Sequence, residues 1–544
     1  MLKLDPITLS VMASALAGIA EEMGTVLVRS AYSSNIKERR DCSTALFDAA
    51  GHMVAQAEHI PVHLGAMPEA VAAVMAKDPR PGEVFAINDP YSGGTHLPDI
   101  TLVSPLAPFG EIIGYAVTRA HHSDVGGARP GSMPADSSEI YEEGLVIPPV
   151  RLTDDILEVI LANVRTPTIR RGDLRAQVAA NRVAEERLRE LCERRGLMMV
   201  LAAFDELIAY GERLAREAIR ALPDGRYEAE SELEGDGQSE RDIPIRVAVT
   251  ISGDTLTFDF AGTSDAVPGN VNCPLAVTRS ACYFAFKLLL GVKVPANAGT
   301  YAPITVLAPA GSLVNVRRPS AVAAGNVETS QRIADTVLLA LANIADVPAQ
   351  GQGTMNVLTI GSPEWTYVET LGGGQGASSR GPGTSGVHVG MTNTLNTPIE
   401  ALELEFPLRV ERYELLDGSG GEGLHRGGDG LVRSIRVLAP ATLSLLTDRR
   451  HHSPQGLRGG GPGRRGRNLL NSEELPAKAI HELQASDLIS IETPGGGGWG
   501  AGGRTVLRDE AAEEGTVSSC GQQGADRRER CRAHAPVGGG GDGR

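Results

Sequence analysis

Gly93-Gly94-Thr95-His96-Leu97-Pro98-Asp99 leads directly into the strand candidate Ile100–Leu106. After Pro108-Phe109-Gly110 the chain continues as a second strand candidate, Ile112–Ala120, and ends in His121-His122-Ser123-Asp124. The Pro-Phe-Gly turn signal between two apolar runs predicts an antiparallel hairpin. In an antiparallel pair the start of one strand lies beside the end of the other. Asp99 and His121 therefore meet at the open end of the hairpin, and His96 stands three residues before Asp99. Two imidazoles and one carboxylate suit a divalent transition ion, with Mn, Zn or Fe the expected cofactors, better than Ca or Mg, which favour all-oxygen shells. An open coordination position at such an ion polarises a carbonyl or lowers the pKa of a water molecule. The alternative is a hydrogen-bonded polar cluster that supports the loop.

Working outward, six of the twelve histidines (His52, His59, His63, His96, His121 and His122) lie between positions 52 and 122, interleaved with Asp41, Asp48, Asp89, Asp99 and Asp124. Such a cluster on loops at strand ends is a site candidate. His63, in Pro61-Val62-His63-Leu64-Gly65, either reaches the same cleft or is a structural histidine. Asp89 either serves the site or caps the turn at Asn88-Asp89-Pro90. Asp124 either orients His121, binds substrate or is a plain loop carboxylate. His122 is expected on the opposite side of the strand from His121. Gln177 and Asn181, four apart on one face of a predicted helix, either face the site or, as is expected, are solvated or capping.

The rest of the chain supplies the frame. Asp5-Pro6 is a helix start, followed by Leu9, Met12, Leu16, Ile19, Met23 and Val26 at helical spacing. Ser43–Phe47 and His52–Ala57 flank a first hairpin turn, and Val84–Ile87 reads as a short buried strand. Residues 173–221 are helical with a break at Gly196, and 225 to about 320 read as strands and turns. A helix is expected over Glu328–Ile344, and strands over Leu402–Leu408 and Leu431–Leu446. The expected fold class is α+β: a multi-domain mixed chain with several antiparallel hairpins. The expected divisions are an N-terminal metal-site region 1–165, a helical segment 166–224, an α+β region 225–503 that completes the cleft, and a disordered tail 504–544.

Composition narrows the function classes. A formal net charge of −16 repels phosphate backbones and anionic lipid, so neither nucleic acid nor a membrane is an expected partner. No apolar run approaches the ~20 residues of a membrane span. Six cysteines without a CxxC pair argue against a disulfide framework, and a cytoplasmic location is expected. No GxxxxGK[ST] loop and no GxSxG elbow is present, so neither a Walker-type ATP site nor a serine nucleophile is expected in this chain.

Taken together, Arg40-Asp41-Cys42-Ser43, Pro61–Gly65, Asn88–Asp99, His121–Gly127, Arg171-Gly172-Asp173-Leu174 with Gln177, Asp259–Thr263, Gly325-Asn326-Val327-Glu328-Thr329-Ser330 and Pro494–Gly498 resemble the hydantoinase B/5-oxoprolinase family. The resemblance implies the B-type subunit of a two-component enzyme. An A-type ATPase subunit uses ATP to phosphorylate the substrate carbonyl, and the B-type subunit opens a hydantoin or a lactam like 5-oxoproline. In related carboxylases a metal sits where this chain has His96, Asp99 and His121. On this reading Asp124 and Asp89 orient groups or move protons, while Asp41 and His63 contact substrate. The alternatives are a subunit of an ATP-dependent ketone carboxylase, or a scaffold subunit without chemistry.

The chain departs from the family after the glycine turn at 494–498. Glu514–Ser518 resembles a remnant, and an Arg-, Cys- and Gly-rich stretch follows. That composition offers little apolar surface against the ~1–2 kcal/mol per residue that backbone ordering costs. A chain truncated after Gly503 is therefore predicted to melt at nearly the full-length temperature and to keep its association with the ATPase subunit. Loss of soluble expression on truncation would contradict this.

Overall fold

A computed structural model of the chain describes residues 4–58, 60–290 and 294–502. The first helix runs Pro6–Ser30, with the Asp5 carboxylate accepting from the Ile7 and Thr8 amides at 3.0 and 3.1 Å. Its Met12, Leu16, Ile19, Met23 and Leu27 are buried. In length and composition this helix is apolar enough to cross a bilayer, contrary to the expectation that no segment approaches a span. Here its apolar face packs on the helix Pro167–Arg195 and on the first two strands.

A six-stranded sheet carries the first half of the chain. Its strands are β1 (Cys42–Asp48), β2 (Met53–Glu58), β3 (Phe85–Ile87), β4 (Asp99–Leu106), β5 (Gly114–His121) and β6 (Val150–Arg151), in the order β2-β1-β5-β4-β3-β6. Both expected hairpins form, and every paired strand in this sheet is antiparallel. Three smaller sheets follow. The first contains Gly225–Leu233, Ile243–Ser252, Thr255–Asp259 and Ile304–Leu307, with the last strand parallel to its neighbour. The second contains Val357–Gly361, Thr366–Glu369, Ala441–Leu446 and Lys478–Leu483. The third has five strands, from Leu408–Leu416 to Leu488–Glu492. The fold class is α+β, as the alternation of hairpins and helices predicts.

The large sheet separates two apolar layers because side chains alternate across it. Leu46, Ala116 and Ala120 join the helical layer of Met12, Leu16, Leu188 and Phe204. Ala45, Phe47, Val103 and Val117 face the other way, into a core shared with Leu233, Phe258, Phe286, Val337, Val357 and Leu446. This second core crosses the expected divisions at 165/166 and 224/225, so those points mark changes of element type and not separate cores. The expected tail, 504–544, lies outside the described residues.

Three local expectations are corrected. Leu275–Leu290 is a helix, not strand and turn. Its apolar residues surround most of its circumference, which erases the helical period in the sequence. Ile399–Glu405 is also a helix, and the strand begins only at Leu408, beyond Pro407. The helix expected over Glu328–Ile344 is Ser330–Leu341, entered through a π-helical turn at Gly325–Thr329.

Gln177 and Asn181 are buried, not solvated. From the helix Pro167–Arg195 the Gln177 Nε2 donates to the Ile100 and Thr118 carbonyl oxygens at 3.0 and 3.3 Å, and its Oε1 lies 3.0 Å from His122 Nε2. Asn181 Nδ2 donates to Ser104 Oγ at 3.0 Å. These bonds lock the helix to the strands that carry the site. Gln177→Leu keeps the volume but strands the His122 imidazole and removes the donor to both carbonyls, at a predicted cost of about 2–3 kcal/mol. A lowered urea midpoint in equilibrium unfolding checks this, and an unchanged midpoint contradicts it.

Candidate metal centre

The site is assembled from the hairpin outward. Asp99 opens β4 and is the direct partner of His121, which closes β5. Gly93 adopts φ 102°, and a Cβ there would stand 2.4 Å from the Ala70 nitrogen, so only glycine lets the 93–98 loop lie this close to its neighbour. Asn88 Nδ2 donates to the Leu97 and Leu145 carbonyls at 2.8 and 2.9 Å. Arg119, buried two residues before His121, donates from Nη2 to the Gly93 carbonyl and from Nε to Thr101 Oγ1. The loop that carries His96 is thus tied down at both ends.

His96 Nε2 and His121 Nδ1 each lie 3.2 Å from Asp99 Oδ1, and the two nitrogens are 3.2 Å from each other. Shells with bonds of ~2.0–2.2 Å space their ligand atoms ~3–3.5 Å apart, so this triangle has the edge length of one face of a coordination shell. The remaining nitrogens, His96 Nδ1 and His121 Nε2, are buried and have no hydrogen-bond partner among the described residues. Two imidazole nitrogens and one carboxylate oxygen at this spacing are a donor set that fits a divalent transition ion.

The other oxygen of Asp99 is held separately. Thr95 Oγ1 donates to Oδ2 at 2.5 Å, and His63 Nε2 lies 3.4 Å from it. His63 Nδ1 in turn lies 2.9 Å from Ser43 Oγ on β1. Burial, the largest influence, pushes the Asp99 carboxyl upward. The His96 charge and the hydrogen bonds from His121, His63 and His96 outweigh it and hold the group well below the usual carboxylate range. Burial lowers the His63 pKa despite its contact with Asp99, which favours a neutral imidazole.

These groups line a cavity of about 30 Å³, room for about two water molecules. Its lining includes Arg39, Asp41, His63, His96, Asp99 and His121, together with Asn326, Val327, Met355, Val368, Thr370 and Thr394. The Asp41 carboxylate makes no hydrogen bond or ion pair with the described residues, although the Asp41 carbonyl oxygen accepts from the His121 amide at 3.0 Å. Arg39 is buried and spends its guanidinium on neutral partners: Asn35 Oδ1, the Val368 carbonyl, and the Thr370 and Thr394 hydroxyls. A cavity of about 280 Å³ adjoins the small one and shares Thr392 with it.

Asp124 and Asp89, expected to move protons, are placed elsewhere. The buried Asp124 carboxylate accepts from the Gly126, Gly131 and Arg165 amides and from Arg165 Nη1 at 2.8 Å. Both of its oxygens organise the 124–131 loop, and it does not line the cavity. Asp89 caps the turn at Pro90–Ser92 and pairs with Arg318 at 2.7 Å. His122 lies across the strand on Gln177, as the alternation requires. His52 pairs with Asp48 on the surface, and His59 lies outside the described residues. Sequence reasoning assigned no role to Arg39, Thr95 or Asn326. Thr95 and Asn326 stand inside the segments that carried the resemblance. Arg39 precedes one, and only its depth of burial distinguishes it.

His121→Ala is predicted to lose metal affinity by more than about tenfold, read as metal content after dialysis against Mn or Zn. Asp124→Asn should keep its metal and lower the melting temperature. A full metal complement in His121→Ala would reject the assignment.

The comparisons with known proteins agree with this architecture. The hydantoinase B/oxoprolinase family model matches residues 5–502. The 5-oxoprolinase 1 of Arabidopsis thaliana is 39% identical over 533 residues, covering 91% of this chain and 42% of that protein, so the chain spans less than half of that relative's length. The putative B-type subunit of a D-/L-hydantoinase from Pseudomonas sp. (strain NS671) is 34% identical over 537 residues, covering 92% of this chain and 90% of that one. The crystal structure of the ATP-dependent caprolactamase from Pseudomonas jessenii superimposes with a TM-score of 0.86 at 30% identity, covering 92% of each chain. With a match from residue 5 to residue 502 and relatives above 30% identity over nine-tenths of its length, the chain belongs to the hydantoinase B/oxoprolinase family.

Proposed function

We propose that this chain is the ring-opening component of an ATP-dependent cyclic amidohydrolase, and that a separate ATPase subunit activates the lactam or hydantoin carbonyl. The observation that carries this reading is the triangle of His96 Nε2, Asp99 Oδ1 and His121 Nδ1, each edge 3.2 Å, in the lining of a small cavity. Two relatives support it: an ATP-dependent caprolactamase, and one component of a putative D-/L-hydantoinase.

An unstrained cyclic amide is a poor electrophile, so hydrolysis needs both an activated carbonyl and a positioned water. His96, Asp99 and His121 would hold the divalent ion, which when bound supplies Lewis acidity toward a carbonyl or a water molecule. Thr95 and His63 fix the second Asp99 oxygen and so keep the first aimed at the histidine pair. Asp41 lines the cavity, and its carboxylate makes no hydrogen bond or ion pair with the described residues; it takes the proton from the water that adds to the activated carbonyl carbon and returns it to the ring nitrogen as the C–N bond breaks. The Arg39 guanidinium, buried and paired with no carboxylate among the described residues, supplies a positive charge for the oxygen on which negative charge accumulates as water adds to the carbonyl carbon.

The test is reconstitution with the ATPase subunit and 5-oxoproline or hydantoin. Asp41→Asn should lower ring-opened product by about 10²-fold or more, as loss of a general base does, while retaining metal. The isolated chain should not turn over ATP. Undiminished product with Asp41→Asn would remove Asp41 from the reaction.

A further inference from the structure

Most polar side chains that line the small cavity have partners. Arg39 gives its donors to neutral groups. The Thr370 and Thr394 hydroxyls accept from it and lie 2.8 Å apart, and the Thr392 hydroxyl lies 3.3 Å from His388 Nδ1. His63 is held between Ser43 and Asp99, and His96, Asp99 and His121 form the triangle. Two lining side chains remain, Asp41 and Asn326. Asn326 is 4% exposed, its Oδ1 is buried without a partner, and no hydrogen bond from the described residues reaches its Nδ2. The backbone that carries it is fixed. It stands on the π-helical turn Gly325–Thr329, where a Cβ on Gly325 would overlap the Asn272 carbonyl oxygen. The Thr329 hydroxyl donates to the Val271 carbonyl, and the Ser330 hydroxyl donates to the Asn326 carbonyl at 2.6 Å. π-helical turns cluster at functional sites, and an unsatisfied buried carboxamide is costly.

We propose that Asn326 is a second catalytic residue, which holds the attacking water together with Asp41. Such a water needs a lone pair free to reach carbon, so its two hydrogens must be given to acceptors. The Asp41 carboxylate accepts one, and Asn326 Oδ1 accepts the other. A cavity of about 30 Å³, with room for about two water molecules, brings both acceptors within reach of the same one. Two acceptors at fixed positions aim the lone pair, which is positioning of the kind that lowers a barrier through geometry. A carboxylate takes up a proton and a carboxamide does not, so Asn326 orients the water while Asp41 moves its protons. The assignment rests on the cyclic-amide reading above and concerns the activated ring, whose former carbonyl oxygen carries the phosphoryl group and whose nitrogen is doubly bonded to carbon. The water oxygen bonds to that carbon, and one proton passes by way of Asp41 to the nitrogen. The second proton follows by the same route as the C–N bond breaks, leaving a free amine and an acyl phosphate. A second water converts the acyl phosphate to carboxylate and phosphate. Nothing in this role requires a free carbonyl or a ring N–H.

A crystal structure of the metal-loaded chain and a double-mutant cycle test this together. In the crystal, one water should lie within hydrogen-bond distance of both the Asp41 carboxylate and Asn326 Oδ1. It should be lost in Asn326→Leu, which nearly keeps the volume and removes the acceptor. In reconstitution with the ATPase subunit, ATP and 5-oxoproline or hydantoin, Asn326→Leu should lower ring-opened product by about 10²-fold. Metal content should be retained and the melting temperature no lower, since an apolar group replaces an unsatisfied polar one. Asn326→Ala serves if the leucine variant does not fold. Adding Asn326→Leu to Asp41→Asn should cost less than about threefold more, because residues that act as a unit are not additive. The rate with the ATPase subunit alone is the floor for this comparison. A purely structural role for Asn326 would instead multiply the two losses. Multiplied losses, or a crystal water that touches Asp41 and not Asn326, overturn the role of Asn326 and leave the cyclic-amide reading standing. A wild-type complex that opens neither ring overturns both.

Discussion

The antiparallel register of β4 and β5 sets Asp99 directly opposite His121, and the rest of the site is arranged around that pair. A shift of one residue would turn Asp99 to the helical face of the sheet and move Ile100 into its place. The structure spends many contacts on preventing such a slip. β5 is paired on its other side with β1 over seven consecutive residues, and the helix Pro167–Arg195 fastens itself to the two strands through Gln177 and Asn181. Arg119 ties β5 to the loop in front of β4.

The cavity beside the pair depends on a second constraint, the placing of its far wall. The π-helical turn at Gly325–Thr329 is backed by a largely buried ion network. Asp448 pairs with Arg332 at 2.6 Å and lies 3.7 Å from the Lys478 ammonium. Burial pushes Asp448 up, but Arg332, Lys478 and Arg449 together bring it down to about 2. Glu328, on the turn itself, is driven up to about 8 by burial and by the Asp448 charge. A carboxyl in that state is protonated at neutral pH and adds no net charge behind the wall. Buried ionic groups of this kind do little for stability compared with apolar packing, but they admit few alternative arrangements.

Much of the frame was legible in the sequence because local signals there point one way. Asp5-Pro6 starts a helix, Gly196 separates two, and two turn signals between apolar runs make the hairpins that hold the site. The pairing of Asp99 with His121, and the position of His96 in the preceding loop, follow from hairpin geometry alone, before any contact is known. The two helices that were misread show where such reasoning stops. In Leu275–Leu290 apolar residues wrap the helix, and in Ile399–Glu405 the segment is too short for a period to emerge.

Which carboxylates serve the cavity was a matter for tertiary structure. Asp124 and Asp41 look equivalent in the sequence, each beside a candidate site residue on a loop. Only the folded chain brings Arg165 onto Asp124 from forty-one residues away and leaves Asp41, in the cavity wall, without a side-chain partner among the described residues. Asn326 and Arg39 are decided in the same way, since their significance lies in partners absent or neutral in three dimensions. The sequence determined the hairpin and its histidine–aspartate pair because those follow from spacing along one local element. The fold decided the opposite wall and the state of each charge because burial and pairing arise between segments hundreds of residues apart.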